Sequence, residues 1–254
     1  MIPVGLALTG LGLRPVEAPL WATICAGEPA LRLGWGVASA ERALVPGMLG
    51  GLRAAGADLA WLKACELAEK HDLAGTDSML HLVTTVDPRP LYFWLNGARI
   101  MAYDMPAWRI SAAGGYGATP VPIQQRIERD QAMRALRYLD EARLFHPASA
   151  ALWIERANIE LNRLGDLAGA AESYRRAWEQ PNAPYYAARL HGELLRRLGR
   201  KPAALAWLRT LHPQLPPDSE SAGADLVLAR IRKLERELGV PAWQVYQPES
   251  RVGL

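Results

Sequence analysis

The sequence predicts an all-α protein in which antiparallel helix pairs stack into a solenoid, and three observations carry that prediction. From residue 47 onward the chain runs in long amphipathic stretches ended by turn residues, and nothing alternates with the period of two that a half-buried sheet requires. Short connections join the stretches, which suits helices lying antiparallel to their neighbours. Finally, Pro147, Leu161, Arg163, Leu164, Gly165, Ala170 and Arg175 recur 34 residues later as Pro181, Leu195, Arg197, Leu198, Gly199, Ala204 and Arg209. A fixed period of that length marks stacked helix–turn–helix units.

Taken in order, residues 1–46 stand outside the pattern: Pro15, Pro19, Pro29 and Pro46 with Gly27, Gly34 and Gly36 interrupt them, leaving room for a short helix at 38–44. Helices are expected at 48–70, 76–86, 90–104, 122–145, 149–164, 167–179, 183–198, 201–211 and 219–238. Gly165 and Gly199 fall at turns between paired helices, where glycine takes a left-handed conformation without strain. Ala170 and Ala204 are small enough for the second helix of a pair to press on the first, and Tyr174 and Leu208 fill the space one turn further on. The same offsets place Leu67, Thr76, Leu80 and a closing Asp87-Pro88 in an earlier unit over 57–88. Trp94 and Ala98 open another unit, whose second helix carries Ala135, Leu139, Ala142 and Pro147 beyond an insertion at 105–120. Thus 47–213 reads as the solenoid, and 214–254 as a polar capping helix with a tail.

With its 34-residue spacing, the region 57–213 resembles the tetratricopeptide repeat superfamily. That resemblance implies a right-handed superhelix of about four helix pairs, whose first helices line the inner curve and meet a protein partner. Leu49-Gly50-Gly51-Leu52-Arg53, Asp58, Trp61-Leu62-Lys63-Ala64, Asp87-Pro88-Arg89 and the stretch 94–103 are also similar to a group of uncharacterised bacterial repeat proteins. Members of that group commonly carry an amino-terminal membrane anchor. In this chain 2–13 is apolar and uncharged but shorter than the ~20 residues that span a bilayer. It reads as a buried helix, as the remnant of an anchor or as an interfacial segment.

Composition narrows the function classes. Half of the 254 residues are apolar, enough for a sizeable core, and 29 Lys and Arg against 26 Asp and Glu leave an excess of only +3. That is too little to expect nucleic acid as the partner. Cys25 and Cys65 sit singly among apolar residues, so neither a disulfide framework nor a zinc site is expected. His71, His81, His146, His191 and His212 lack paired-ligand spacing, and Gly114-Gly115-Tyr116-Gly117 lacks the Lys and Ser or Thr of a phosphate loop. No catalytic residue, metal or cofactor is expected, and the glycine-rich stretch reads as an insertion loop.

The expected partner-binding residues lie on the first helix of each pair: Trp61, then Tyr92, Asn96, Arg99 and Tyr103, then Glu155 and Asn162, then Tyr186, Arg189 and Arg196. Asp58, Cys65, Leu95, Leu152, Ile159 and Glu193 share those faces. Rings with Arg and Asn between them suit a peptide or helix of a partner, since rings supply buried area and Arg supplies directional bonds. The same rings at Trp61, Tyr92 and Tyr103 equally suit packing within the stack. The Arg-rich stretch 126–209, with Arg175-Arg176, Arg196-Arg197 and Arg200-Lys201, fits an acidic partner, an anionic membrane surface or RNA. It also fits a solvated face balanced by Glu128, Asp130, Asp140, Glu141, Glu172 and Glu193. The functional expectation is a non-catalytic scaffold or adaptor in a membrane-associated bacterial assembly. The alternative is an accessory subunit of an enzyme complex that touches ligand or substrate through 105–120.

Overall fold

The computed structural model describes residues 53–248, and every regular element among them is helical. The expectations for 1–46, for the apolar stretch 2–13 and for the start of the first helix at 48 lie outside the described residues. The α-helices are α1 (Arg53–Glu69), α2 (Leu73–Val86), α3 (Leu91–Arg99), α4 (Met105–Ala112), α5 (Val121–Phe145), α6 (Ala150–Asn162), α7 (Leu167–Trp178), α8 (Tyr185–Arg197), α9 (Lys201–Leu211) and α10 (Ala224–Glu237). A π-helical turn, Ile100–Asp104, joins α3 to α4, and short 3-10 turns follow α9 and α10. The chain divides into two compact units, Met1–Pro147 and Ala148–Leu254.

In the first unit α1 and α2 form a hairpin. The Arg53 guanidinium, at the start of α1, donates to the Val86 carbonyl at the end of α2 at 3.0 and 3.1 Å, which fixes the pair as antiparallel. Helix α2 begins at Leu73, three residues before the expected start, because the Asp72 carboxylate accepts the Gly75 N–H at 3.0 Å and caps the helix there. The linker 87–90 is fastened by its own polar groups. Pro88 O accepts the Trp94 Nε1–H at 2.8 Å and faces His146 Nε2 at 3.0 Å. Trp94, 2% exposed, is the hub: its ring lies 4.7 Å from that of Tyr138 and 5.9 Å from that of Phe145, so α3 packs along α5. Gly97 makes that approach possible, since a Cβ there would sit 2.9 Å from Tyr138 Cε1 and Oη.

The insertion 105–120 departs from expectation by containing a helix. Pro106 has no N–H, and its ring would collide with the Ala102 carbonyl in a regular α-helix. The chain instead widens by one residue into the π turn, with the Met105 N–H donating to Ile100 O, and continues as α4. Met101, Ala102, Met105 and Ile110 are thereby buried. The remaining turn is pinned by Gln124 Nε2, which donates to Tyr116 O and Thr119 O at 2.8 Å each.

The second unit is a run of consecutive antiparallel helices. Ser149 and Asp166 cap α6 and α7. At the α6–α7 and α8–α9 turns Gly165 and Gly199 have φ of +65° and +76°, the left-handed conformation the period called for, and the backbone reaches back from Asp166 to Glu160 and from Arg200 to Leu195. Ala170 and Ala204 are fully buried. Two buried polar side chains tie neighbouring helices together: Glu160 accepts from Ser173 Oγ at 2.6 Å and from Arg156 Nε at 2.8 Å. His191 donates Nδ1–H to Ala171 O at 2.7 Å and meets the Trp207 ring edge-on at 4.5 Å. Helix α10 begins at Ala224, five residues later than expected, because turns occupy 217–222 and Gly223 enters the helix at φ +62°. The Glu235 carboxylate, 3% exposed, then accepts from Arg209 Nη2, Arg232 Nη1 and the Tyr246 N–H, fastening the chain after α10 back onto α9 and α10.

Candidate functional site

In the first unit the predicted surface residues assemble along one side of α1 and α3. Trp61 is half-buried, with its ring 5.4 Å from both Tyr92 and Phe93, edge-on to the first. Tyr92 is 58% exposed and so presents one face outward while Trp61 supports its edge. One turn along α3, Asn96 Nδ2 donates to Tyr92 O at 2.9 Å, and Arg99 follows at the surface. Tyr103, half-buried, lies on the π turn, whose extra residue rotates it relative to a straight α-helix. Cys65 sits one turn from Trp61, and burial, with the Glu69 carboxylate beside it, pushes its thiol above the usual range.

A groove of about 210 Å³ opens elsewhere in this unit, floored by Met101 and Tyr138 and rimmed by Asp77, His81, Arg134, Arg137 and Glu141. The Tyr138 hydroxyl is committed to Leu80 O at 3.2 Å and held far above its ordinary pKa by burial, so it is no acid or base near neutrality.

In the second unit the structure separates what the sequence grouped. Glu155 is 3% exposed, and Leu152 and Ile159 are buried with it. Helix α6 is buried on two sides, so of its expected residues only Asn162 reaches solvent. On α8 the expected residues stand nearer the surface. Tyr186 is 42% exposed. Arg189 Nη1 donates to Ser221 O at 2.8 Å and Ala222 O at 2.6 Å, tying α8 to the segment that leads into α10. Arg196 holds Glu193 through Nε at 3.0 Å and Nη2 at 2.6 Å.

Around Glu193 stands a cluster the sequence reading missed. Arg197 Nε approaches it at 3.3 Å and Arg230 of α10 at 3.4 Å, while Lys201 Nζ pairs with Glu237 at 3.0 Å. Arg196, with Arg230 and Arg197 behind it, holds the Glu193 carboxyl down to about 2, and Lys201, with Lys233 and Arg196 nearby, lowers that of Glu237. The doublets Arg196-Arg197 and Arg200-Lys201 were a partial signal. The contribution of α10 was not legible, because the tertiary fold brings Arg230 and Lys233 to α8 and α9.

Four arginines before this cluster are paired with carboxylates. Arg143 pairs with Asp140, Arg156 with Glu160, Arg175 with Glu172 and Glu179, and Arg176 with Glu172 while its guanidinium also lies 5.0 Å from the Trp153 ring centre. Among the described residues no three His, Cys, Asp or Glu side chains gather as a metal site, and no helix is long and apolar enough to cross a membrane. No protein-family model matches the chain, and no curated protein matches it either.

Proposed function

We propose that the chain is a non-catalytic scaffold or adaptor of the tetratricopeptide kind, a right-handed superhelical stack of about four helix pairs closed by the capping helix α10. It works within a larger, membrane-associated bacterial assembly and holds a peptide or helix of another protein. The fold reading draws support from the 34-residue spacing, from the left-handed glycines at two helix turns, and from the packing of α3 on α5 through Gly97 and Tyr138.

The single observation that carries the functional reading is the pair of half-exposed tyrosines, Tyr92 and Tyr186, on the first helices of two pairs. Trp61 braces Tyr92 in one unit, and in the other Tyr186 stands on α8 one turn before Arg189. An exposed aromatic ring on a helix gives large contact area at small entropic cost, as binding anchors do. Affinity capture from the source extract tests it. The unaltered chain is expected to retain a specific protein that the double variant Tyr92→Ala, Arg99→Glu releases. Recovery of the same proteins by both overturns the assignment of this face.

A further inference from the structure

Five cationic side chains, Arg196, Arg197, Lys201, Arg230 and Lys233, surround two carboxylates, Glu193 and Glu237, where the C-terminal ends of α8 and α10 meet the start of α9. Five cations against two anions leave a local excess of three positive charges.

Building on the scaffold reading, we infer that this cluster is the docking point for an acidic, Asp- or Glu-rich segment of a partner protein. Charge complementarity names the occupant. Glu193 already shows what the cluster accepts: one carboxylate held by both nitrogens of the Arg196 fork, with Arg230 and Arg197 at its flanks. Side chains at the cluster remain accessible, Arg197 at 53% and Arg230 at 39% exposed, so an incoming carboxylate reaches them without unfolding anything. A nucleic-acid backbone fits less well. Phosphates are tracked by cations set in a line, whereas here two carboxylates stand among the cations and weaken the field along any such line. Along α8 the distance from Tyr186 to Arg196 is about 15 Å at 1.5 Å per residue, which an extended peptide covers in about five residues. An apolar residue on Tyr186 and acidic residues about five positions on would engage both ends of the stripe.

Fluorescence anisotropy with the full chain and a labelled peptide carrying one leucine followed by a run of glutamates tests the inference. Saturable binding that weakens with added salt is expected. The double reversal Arg197→Glu, Lys233→Glu leaves the Arg196–Glu193 fork in place and is expected to weaken binding at least about tenfold. The charge-matched control Arg126→Glu, Arg129→Glu on α5 is expected to leave it unchanged. Glu193→Gln removes the internal competitor and is expected to tighten binding, which a merely structural role for Glu193 would not do. Absence of saturable binding, equal losses in reversal and control, or displacement of the peptide by an oligouridylate or by phosphatidylglycerol vesicles at equal charge overturns the inference. Capture of a partner that depends on Tyr92 and Arg99 but not on Arg197 would leave the scaffold reading standing while this one falls.

Discussion

Gly97 and Tyr138 show how much rests on a single missing carbon. With a Cβ at Gly97 only 2.9 Å from the tyrosine ring, Gly97→Ala forces the ring and hydroxyl away from their seat under Leu80. Urea denaturation should show a loss of about 1–3 kcal/mol, the range for overpacking a well-filled site. Trp94→Ala, which leaves a cavity between Tyr138 and Phe145 and removes one of the two groups bound to the Pro88 carbonyl, should cost about 3–5 kcal/mol. At His191 the quantity to measure is pH dependence. Burial lowers its pKa below the ordinary 6.5, so the folded chain prefers the neutral ring that donates to Ala171. The unfolded chain takes up the proton first as pH falls, so this contribution is intact above 6.5 and declines as the pH drops below it. His191→Gln should flatten the stability profile in that window.

At the scale of elements, the features legible in sequence are those set by local backbone demand. Gly165 and Gly199 announce their turns because few other residues accept a φ near +70°. Helix α4 was hidden, because Pro106 reads as a breaker unless the preceding turn widens to π, and nothing in a hydrophobic period marks that extra residue. Glu155 was misjudged for the complementary reason. A period of 3.6 identifies a stripe, but whether that stripe is open or covered depends on tertiary packing that the period does not encode. The clasp around Glu235 is likewise invisible in the sequence, and it makes a measurable claim. Burial opposes the charge of Glu235, and the Tyr246 N–H, Arg209 and Arg232 override that, so its pKa falls below the ordinary 4.5. Glu235→Ala should free the chain after α10, raising hydrogen exchange at the Tyr246 amide. It should also lower stability by about 1.5–3 kcal/mol, the range for losing hydrogen bonds to a charged group, since Arg209 and Arg232 still reach solvent.

For the whole molecule, acid should act through the carboxylates that arginine holds. Glu172 and Glu193 are each lowered from 4.5 to about 2 by the guanidiniums that donate to them, Arg175 first in one case and Arg196 first in the other. Their contribution is complete above 4.5 and is lost as the pH falls toward 2, adding to the decline that His191 begins. Thermal unfolding midpoints should therefore be highest near neutrality and fall steadily into acid. The central claim is that Tyr92 and Tyr186 belong to surfaces that grip a protein partner, and site-specific photo-crosslinking in the source cell tests it most directly. With a photoreactive phenylalanine placed in turn at Tyr92, Tyr186 and Tyr116, adducts to a common partner are expected from the first two positions and none from Tyr116 on the insertion turn. Adducts from Tyr116 alone, or none from Tyr92 and Tyr186, would contradict the account and move the contact to 105–120.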